Sequence, residues 1–175
     1  METAPLVTQS ACCGCGVVLP DIEGPTHRYM TSSPACWAAF GAVLAREYSD
    51  RGLDTVHRLS VDTYAVQHPG DRSPQCVQSV AVHLCRLCVI LEGGFPIERA
   101  NAVMLQVKQI EHRFTYLEPP TSRADITVKD VVDAVSVDAH RAKVRQWALS
   151  AWNAWSVHHE TIRRWLPMDF KNSPR

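Results

Sequence analysis

The stretch Ser33-Pro34-Ala35-Cys36-Trp37 begins the first long helix of this chain and carries a candidate metal ligand. Serine is a preferred N-cap residue, and proline is favoured in the first helical turn. Apolar residues then recur at helical spacing from Ala35 to Tyr48. Cys36 therefore lies in a first helical turn, where the helix dipole stabilises a thiolate and makes it a better metal ligand.

A cysteine turn upstream supplies two more candidate ligands, Cys12 and Cys15, in the run Cys12-Cys13-Gly14-Cys15-Gly16. Two thiolates at this spacing can hold one tetrahedral Zn²⁺, and glycine lets the backbone turn tightly around the ion. A zinc site normally has four ligands, and the nearest suitable groups downstream are His27 and Cys36. The sequence therefore predicts a Zn²⁺ site formed by Cys12, Cys15, His27 and Cys36.

Two alternatives stay open for this site. His57 or another histidine can take the place of His27, and the two cysteines of the turn can be ordinary reduced thiols with His27 at the surface. A site with four Cys/His ligands is usually structural, because it is closed to substrate and its binding energy contributes to folding.

Helix start and stop signals repeat along the rest of the chain. Asp54 can cap a second helix that ends at Gln67, because His68 precedes a proline. The predicted elements that follow are a helix from Pro74 to Glu92, one from Pro96 to about His112, a loop over 118–126, a short helix after the capping box Thr127/Asp130, and a last helix from Val137 to Trp165. We predict an all-α fold in a single domain 1–175: a zinc-binding arm 1–33, a compact helical bundle 34–167 and a tail 168–175.

Composition narrows the classes of protein that fit. The chain has 175 residues with 46% hydrophobic content, which suffices for one core. Eighteen basic residues balance eighteen acidic ones, so we expect no nucleic acid and no membrane as partner. No basic leader and no bilayer-spanning apolar run is apparent, which predicts a soluble, cytoplasmic protein. The seven cysteines are an odd number, and Cys76, Cys85 and Cys88 lie in an apolar helical pattern typical of core residues.

Several of the eight histidines fall on helix faces that should be buried. The apolar stripe of the third helix includes His83, and that of the last helix includes His140 and His158, with His159 beside it. Buried imidazoles need partners, and Asp62 or Glu92 can orient them. We predict a second functional centre with the catalytic candidates Asp62, His68, His83 and His159. For each histidine singly, the alternative is a core residue bonded to a carbonyl or to a hydroxyl such as those of Tyr64 and Ser79.

The chain resembles a bacterial family of unknown function from the cysteine turn to Trp165. The shared motifs are Cys12-x-x-Cys15-Gly16, Gly24-Pro25-Thr26-His27, Ser33-Pro34-Ala35-Cys36-Trp37, Asp62-Thr63-Tyr64-Ala65-Val66-Gln67-His68-Pro69-Gly70, Gln78-Ser79-Val80-Ala81-Val82-His83-Leu84 and Trp155-Ser156-Val157-His158-His159. The resemblance implies that these motifs form one unit, and it implies no reaction. Cys13 stands where family members usually have proline, so it is an alternative first ligand, although the spacing favours Cys12.

A likeness at the level of the fold relates the chain to helical-bundle metalloenzymes of the DinB and maleylpyruvate-isomerase type. Those proteins hold a divalent metal with one histidine of a second bundle helix and two ligands of the last helix. The resemblance implies that His83 with His158 or His159 can imitate that arrangement. Arg163 follows His159 by four residues and cannot be the further ligand.

Two functions fit these observations. The first is a metal-dependent enzyme for a small-molecule substrate, of hydrolase, isomerase or transferase type, in which one histidine is a general base toward the substrate or a metal-bound water. The second is a non-catalytic, zinc-stabilised module that binds a protein partner through its tryptophans and the basic face of its last helix. The sequence leaves the substrate, the number of metal sites and the oligomeric state open.

Overall fold

The computed structural model describes residues 8–109, 114–121 and 124–167. Across these ranges the chain forms one small hairpin and seven α-helices, so the mostly helical fold is confirmed. The strands are β1 (Gln9–Ala11) and β2 (Val18–Pro20). The helices are α1 (Pro34–Ser49), α2 (Asp54–Gln67), α3 (Pro74–Leu87), α4 (Ile97–Gln109), α5 (Val128–Val132), α6 (Val137–Ala154) and α7 (His159–Trp165).

The hairpin encloses the cysteine turn. Strands β1 and β2 pair antiparallel with Ser10 opposite Leu19. Inside the turn, the Cys12 N–H donates to the Val17 carbonyl over 2.8 Å, and Gly16 has the positive φ of 81° that glycine tolerates. These strands depart from the predicted all-α fold. Strands of three residues are too short to show the alternation by which strands are recognised.

The helix starts predicted at Ser33, Ser73 and Thr127 are confirmed by their caps. Asp54 does not cap α2, because it is itself the first helical residue and Leu53, which precedes it, makes no side-chain cap hydrogen bond. The Ser33 hydroxyl accepts a hydrogen bond from the Cys36 N–H over 3.3 Å, and the Ser73 hydroxyl accepts one from the Cys76 N–H over 3.4 Å. Thr127 and Asp130 form the expected capping box in front of α5. The start of α1 is therefore fixed by the same local chemistry that places Cys36 in its first turn.

The third helix continues past Leu87 as a π-helical segment, Cys88–Glu92, and ends before Gly93. Within the part of the chain that the structure describes, Pro74–Glu92 is one helix that is long and apolar enough, by length and composition, to cross a membrane. No such helix was expected, because the chain has no apolar run that is long enough to span a bilayer. This helix packs against α2, α4 and α7, and a core helix of a soluble protein meets the same criteria.

The last predicted helix is not continuous. Helix α6 ends at Ala154, a 3₁₀ turn covers Ser156–His158, and α7 begins at His159. Neither proline nor glycine marks this break, so tertiary packing determines it. Trp155 lies at the break, only 2% exposed, and its indole N–H donates to the Val66 carbonyl over 3.2 Å. The predicted helix end near His112 and the tail 168–175 lie outside the described residues.

Helix α2 lies at the centre of the bundle, against α1, α3 and α6. The largest fully buried side chains include Trp147, Trp155 and Tyr64. Cys76, Cys85 and Cys88 are buried as predicted. Burial raises the pKa of the Cys85 thiol and raises that of Cys88 to about 12, which keeps both thiols protonated at neutral pH.

Candidate metal centre

Three sulfurs and one imidazole meet where the hairpin packs on the bundle. Cys12 and Cys15 come from the turn, Cys36 from the first turn of α1, and His68 from the residue that follows α2. One ligand atom from each lies within 4.8 Å of all the others. The side chains are buried, with Cys15 the most exposed at 5%. This Cys₃His cluster can hold a metal ion.

His68 is oriented by its place at the end of α2. Its backbone carbonyl accepts from the Thr31 N–H over 3.1 Å, which fixes the chain next to the arm. Its ring Nδ1 donates to the Tyr64 carbonyl over 2.7 Å, so the proton lies on Nδ1. Nε2 is then an unprotonated acceptor, 3.3 Å from the Cys36 sulfur. A backbone carbonyl that fixes the tautomer in this way is the usual support of a metal-binding histidine.

The distances in the cluster match a tetrahedral zinc site. A Zn–S bond of ~2.3 Å gives an S···S edge of about 3.8 Å in a regular tetrahedron. The Cys15 and Cys36 sulfurs are 3.8 Å apart. The corresponding S···N edge is about 3.5 Å, close to the observed 3.3 Å between Cys36 and His68. Two of the six edges thus have the lengths of a tetrahedral zinc site, and the other ligand atoms lie within 4.8 Å of one another.

Hydrogen bonds to the sulfurs favour negative charge at this place. The Ser33 N–H donates to the Cys12 sulfur over 3.4 Å, and the Tyr64 hydroxyl donates to the Cys36 sulfur over 3.6 Å. The thiols of Cys15 and Cys36 hold the pKa of Cys12 far below its usual range, while the bond to Cys12 raises the pKa of Cys15 to about 11. One thiolate thus accepts from two thiols. A bound divalent cation would replace those two protons.

The histidine of the cluster is His68 and not His27, which the sequence favoured. The His27 ring lies against Tyr29 and Trp37, with ring centroids 5.7 and 5.3 Å away, and its Nδ1 accepts from the Tyr29 N–H. The alternative His57 bonds to Glu47 instead. The prediction chose the histidine that is nearest to the cysteines in sequence. His68 is 32 residues from Cys36, but the end of α2 lies next to the arm and brings the His68 ring to the cluster. Cys13 is exposed.

The four predicted catalytic residues do not form one centre. Asp62 and His83 form a hydrogen bond of 2.7 Å, whereas His68 belongs to the Cys₃His cluster. The ring of His159 stacks on Trp152 with centroids 3.9 Å apart, and its Nδ1 is 3.6 Å from a Glu92 oxygen. His83 and His159 thus have separate partners, and the metal arrangement of the DinB type stays a prediction.

The space beside the cluster is small. A cavity of about 50 Å³, lined by Gly14, Cys15, Gln67 and Trp155 among others, lies next to the turn. That volume accommodates a few water molecules and no substrate of ordinary size. A larger groove of about 850 Å³ between α6 and the loop residues 118–121 and 124–126 contains His158 but no member of the cluster.

Apart from Cys12 and Cys15 themselves, Gly14 is the residue of the turn whose replacement should disturb the cluster most directly. A Cβ at this position would lie 2.3 Å from the Thr31 carbonyl oxygen and 2.4 Å from Cδ2 of His68. We expect Gly14→Ala to displace His68 and to weaken zinc binding by at least 10-fold, about the effect of losing a supporting contact of a ligand. Gly41→Ala is the matched control, because nothing lies within 4 Å of a Cβ there. Competition with a chromogenic zinc chelator measures both, and equal affinities would contradict the prediction.

The model of a protein family, described as a family of unknown function (DUF5946), matches residues 10–156. This range contains all four residues of the Cys₃His cluster. No curated protein and no solved structure matches the chain. Since the family model covers well over half of the sequence, the chain belongs to the family of unknown function DUF5946.

Proposed function

We propose that the protein is a zinc-stabilised helical domain in which Cys12, Cys15, Cys36 and His68 hold one structural Zn²⁺. The observation that carries the proposal is the convergence of four ligand atoms within 4.8 Å of one another in side chains at most 5% exposed. Thiolates with imidazole are the donors that select zinc, and Cys₃His is a common set in structural zinc sites. Four protein ligands leave no coordination position for a substrate.

The ion would tie the hairpin to the bundle. Two strands of three residues do not form a stable unit in water. The turn between them supplies two ligands, and the helices α1 and α2 supply the other two. Zinc binding therefore joins three segments that are distant in the sequence, and its free energy becomes part of the folding free energy.

Of the two functions that fit the sequence, this site supports the one in which zinc is structural. A catalytic zinc keeps an open position for water or substrate, and the burial of the cluster argues against one. An acid/base reaction would therefore need a different centre of the protein. Binding of a protein partner stays a prediction of the sequence analysis.

The choice between His68 and His27 as the fourth ligand tests the proposal. We expect about one zinc per chain in the purified protein and in His27→Ala, and much less than one in His68→Ala. Elemental analysis of the dialysed proteins measures the metal content. The absorption spectrum of the Co²⁺-loaded protein should show thiolate coordination with tetrahedral geometry. Loss of zinc in His27→Ala, with full retention in His68→Ala, would overturn the assignment.

A further inference from the structure

One member of the Cys₃His cluster lies beside open space. Cys15 lines the cavity of about 50 Å³ next to the turn, and this cavity is partly open to solvent. Among the described residues, no other member of the cluster lines it. Cys15 is also the most exposed of the four, at 5%. A molecule little larger than water can therefore reach the cluster at Cys15.

The sulfur of Cys15 has a second sulfur as its neighbour. Cys36 Sγ lies 3.8 Å from Cys15 Sγ. Cys36 is 0% exposed, and the Ser33 cap fixes it in the first turn of α1. A disulfide has an S–S distance of ~2.05 Å, so the two sulfurs have to approach by about 1.7 Å. The sulfurs are therefore placed so that a disulfide can join the turn to α1.

Zinc in the cluster would keep these sulfurs reactive. The thiolate, and not the thiol, is the nucleophile in cysteine chemistry, and zinc binds cysteine as the thiolate. Cys85 and Cys88, by contrast, stay protonated in the core, because burial raises the pKa of both thiols. Among the buried cysteines, those of the cluster are thus the nucleophilic ones, and Cys15 is the one beside the cavity.

We propose that Cys15 is a peroxide-reactive site at which oxidation releases the zinc, with Cys36 as its partner in a disulfide. The proposal rests on the zinc site of the proposed function and adds its regulation by small peroxides. The cavity determines the class of oxidant. Its volume accommodates hydrogen peroxide but not a bulky disulfide, and no Asp, Glu, Lys or Arg lines it among the described residues, which favours an uncharged molecule.

The reaction takes place in two steps at sulfur. The Cys15 thiolate attacks one oxygen of hydrogen peroxide, the O–O bond breaks, and the departing hydroxide takes a proton from solvent. Cys15 is then a sulfenic acid. The Cys36 thiolate attacks the Cys15 sulfur, the S–S bond forms, and the hydroxyl group leaves and takes a second proton. The two thiolates lose two electrons, and the peroxide takes up these electrons and two protons to give two water molecules.

Oxidation would exchange one link between the hairpin and the bundle for another. Cys12 and His68 alone do not make a four-coordinate site, so the zinc leaves. The disulfide then joins the turn to α1 where the ion was, and it should make the oxidised protein more stable than the reduced, zinc-free protein. Urea unfolding compares the two forms, and equal midpoints would contradict the disulfide link.

Zinc release from the zinc-loaded full chain in hydrogen peroxide tests the proposal. A chromogenic chelator that is too weak to take zinc from the reduced protein records the release. We expect about one zinc per chain to be released, together with a cross-linked peptide pair that joins Cys15 to Cys36 in the mass spectrum. Retention of the zinc, or a disulfide between other cysteines, would overturn the proposal.

Cys13 is the competing thiol, because it is exposed and belongs to the same turn but not to the cluster. Cys13→Ala should release zinc in peroxide at the wild-type rate. A much lower rate in this variant would make Cys13 the residue that peroxide attacks first, and would overturn the role of Cys15.

A substitution that fills the cavity tests the route of the peroxide without replacing a ligand. Ala154 lines the cavity at the end of α6. We expect Ala154→Leu to bind zinc as the wild type does and to release it several-fold more slowly in peroxide. Ala142→Leu is the matched control, because Ala142 is an exposed residue of α6 that does not line the cavity. Equal release rates of the two variants would overturn access through the cavity.

The zinc content of the untreated protein separates this proposal from the proposed function. An untreated protein without zinc would contradict the zinc site itself, whereas a zinc-loaded protein that keeps its metal in peroxide contradicts only the oxidation. Dithiothreitol and added zinc should restore one zinc per chain, because a disulfide is reduced by thiols and a sulfinic acid is not. Failure to recover the zinc would overturn the disulfide as the product.

Discussion

Cys36→Ala is expected to abolish stoichiometric zinc binding and to lower the free energy of unfolding by at least about 4 kcal/mol. A ligand that binds only the folded state, at a thousand times its Kd, contributes about that amount. Cys36 is 0% exposed and provides both a proposed ligand and a contact of α1 with the turn. Removal of zinc by a strong chelator should lower the stability of the wild type to a similar extent. Urea unfolding with and without chelator measures both effects.

Cys85→Ala is the matched control for that experiment. Cys85 is also 0% exposed, but it lies in the core outside the Cys₃His cluster. Its replacement removes one buried sulfur and should cost about 1 kcal/mol, the usual effect of a small core truncation. Zinc content should stay at one per chain. If chelation leaves the unfolding curve of the wild type unchanged, the ion has no structural role.

Much of the helical architecture could be predicted because it is encoded locally. The serine caps of α1 and α3, and the capping box of α5, each involve residues that are three positions apart. Two features could not be predicted. The break at Trp155 depends on the packing of its indole against α2, and the hairpin is too short to show a period.

Of the candidate metal centre, only the residues with a local sequence signature could be predicted. Cys12 and Cys15 are separated by two residues in a glycine turn, and Cys36 follows a helix start signal, so each has a signature in the sequence. His68 has none that separates it from His27. His68 belongs to the Cys₃His cluster because the end of α2 packs next to the arm. The hydrogen bond from the Thr31 N–H to the His68 carbonyl shows this contact. A histidine that follows the last residue of a helix and precedes a proline, as His68 does, is therefore a candidate ligand for a site formed by a distant segment.

A buried carboxylate in the core was not predicted from the sequence. Glu47 is 1% exposed and continues the buried side of α1 formed by Cys36, Phe40 and Val43. One of its oxygens accepts from Ser60 and from His140 Nε2 over 2.9 Å, and the other lies 3.0 Å from His57 Nδ1. His140 was expected on an inner helix face and His57 as an alternative metal ligand, yet their common partner is acidic and comes from α1. The position of Glu47 on the apolar face of α1 was the sequence feature that could have indicated its burial.

Glu47→Ala should therefore destabilise the protein by about 3–5 kcal/mol, because each buried donor that is left without its acceptor costs about 1–3 kcal/mol. The truncation leaves two imidazoles and a hydroxyl without their acceptor, and Nδ1 of His140 already lacks a hydrogen-bond partner in the described structure. Such groups cannot be rehydrated without opening the core between α1, α2 and α6. Urea unfolding of the zinc-loaded protein measures the loss.

The control for Glu47 is Glu160→Ala, since Glu160 is 84% exposed and its nearest ionic partner, Arg164, is 3.9 Å away. Its replacement should leave the unfolding curve unchanged, because exposed ion pairs contribute little. Glu47→Gln keeps the shape of the side chain and one carbonyl acceptor. Its free energy of unfolding should therefore lie between those of the wild type and Glu47→Ala. A cost for Glu47→Ala below about 1 kcal/mol would mean that the histidines find water or other partners when the carboxylate is gone.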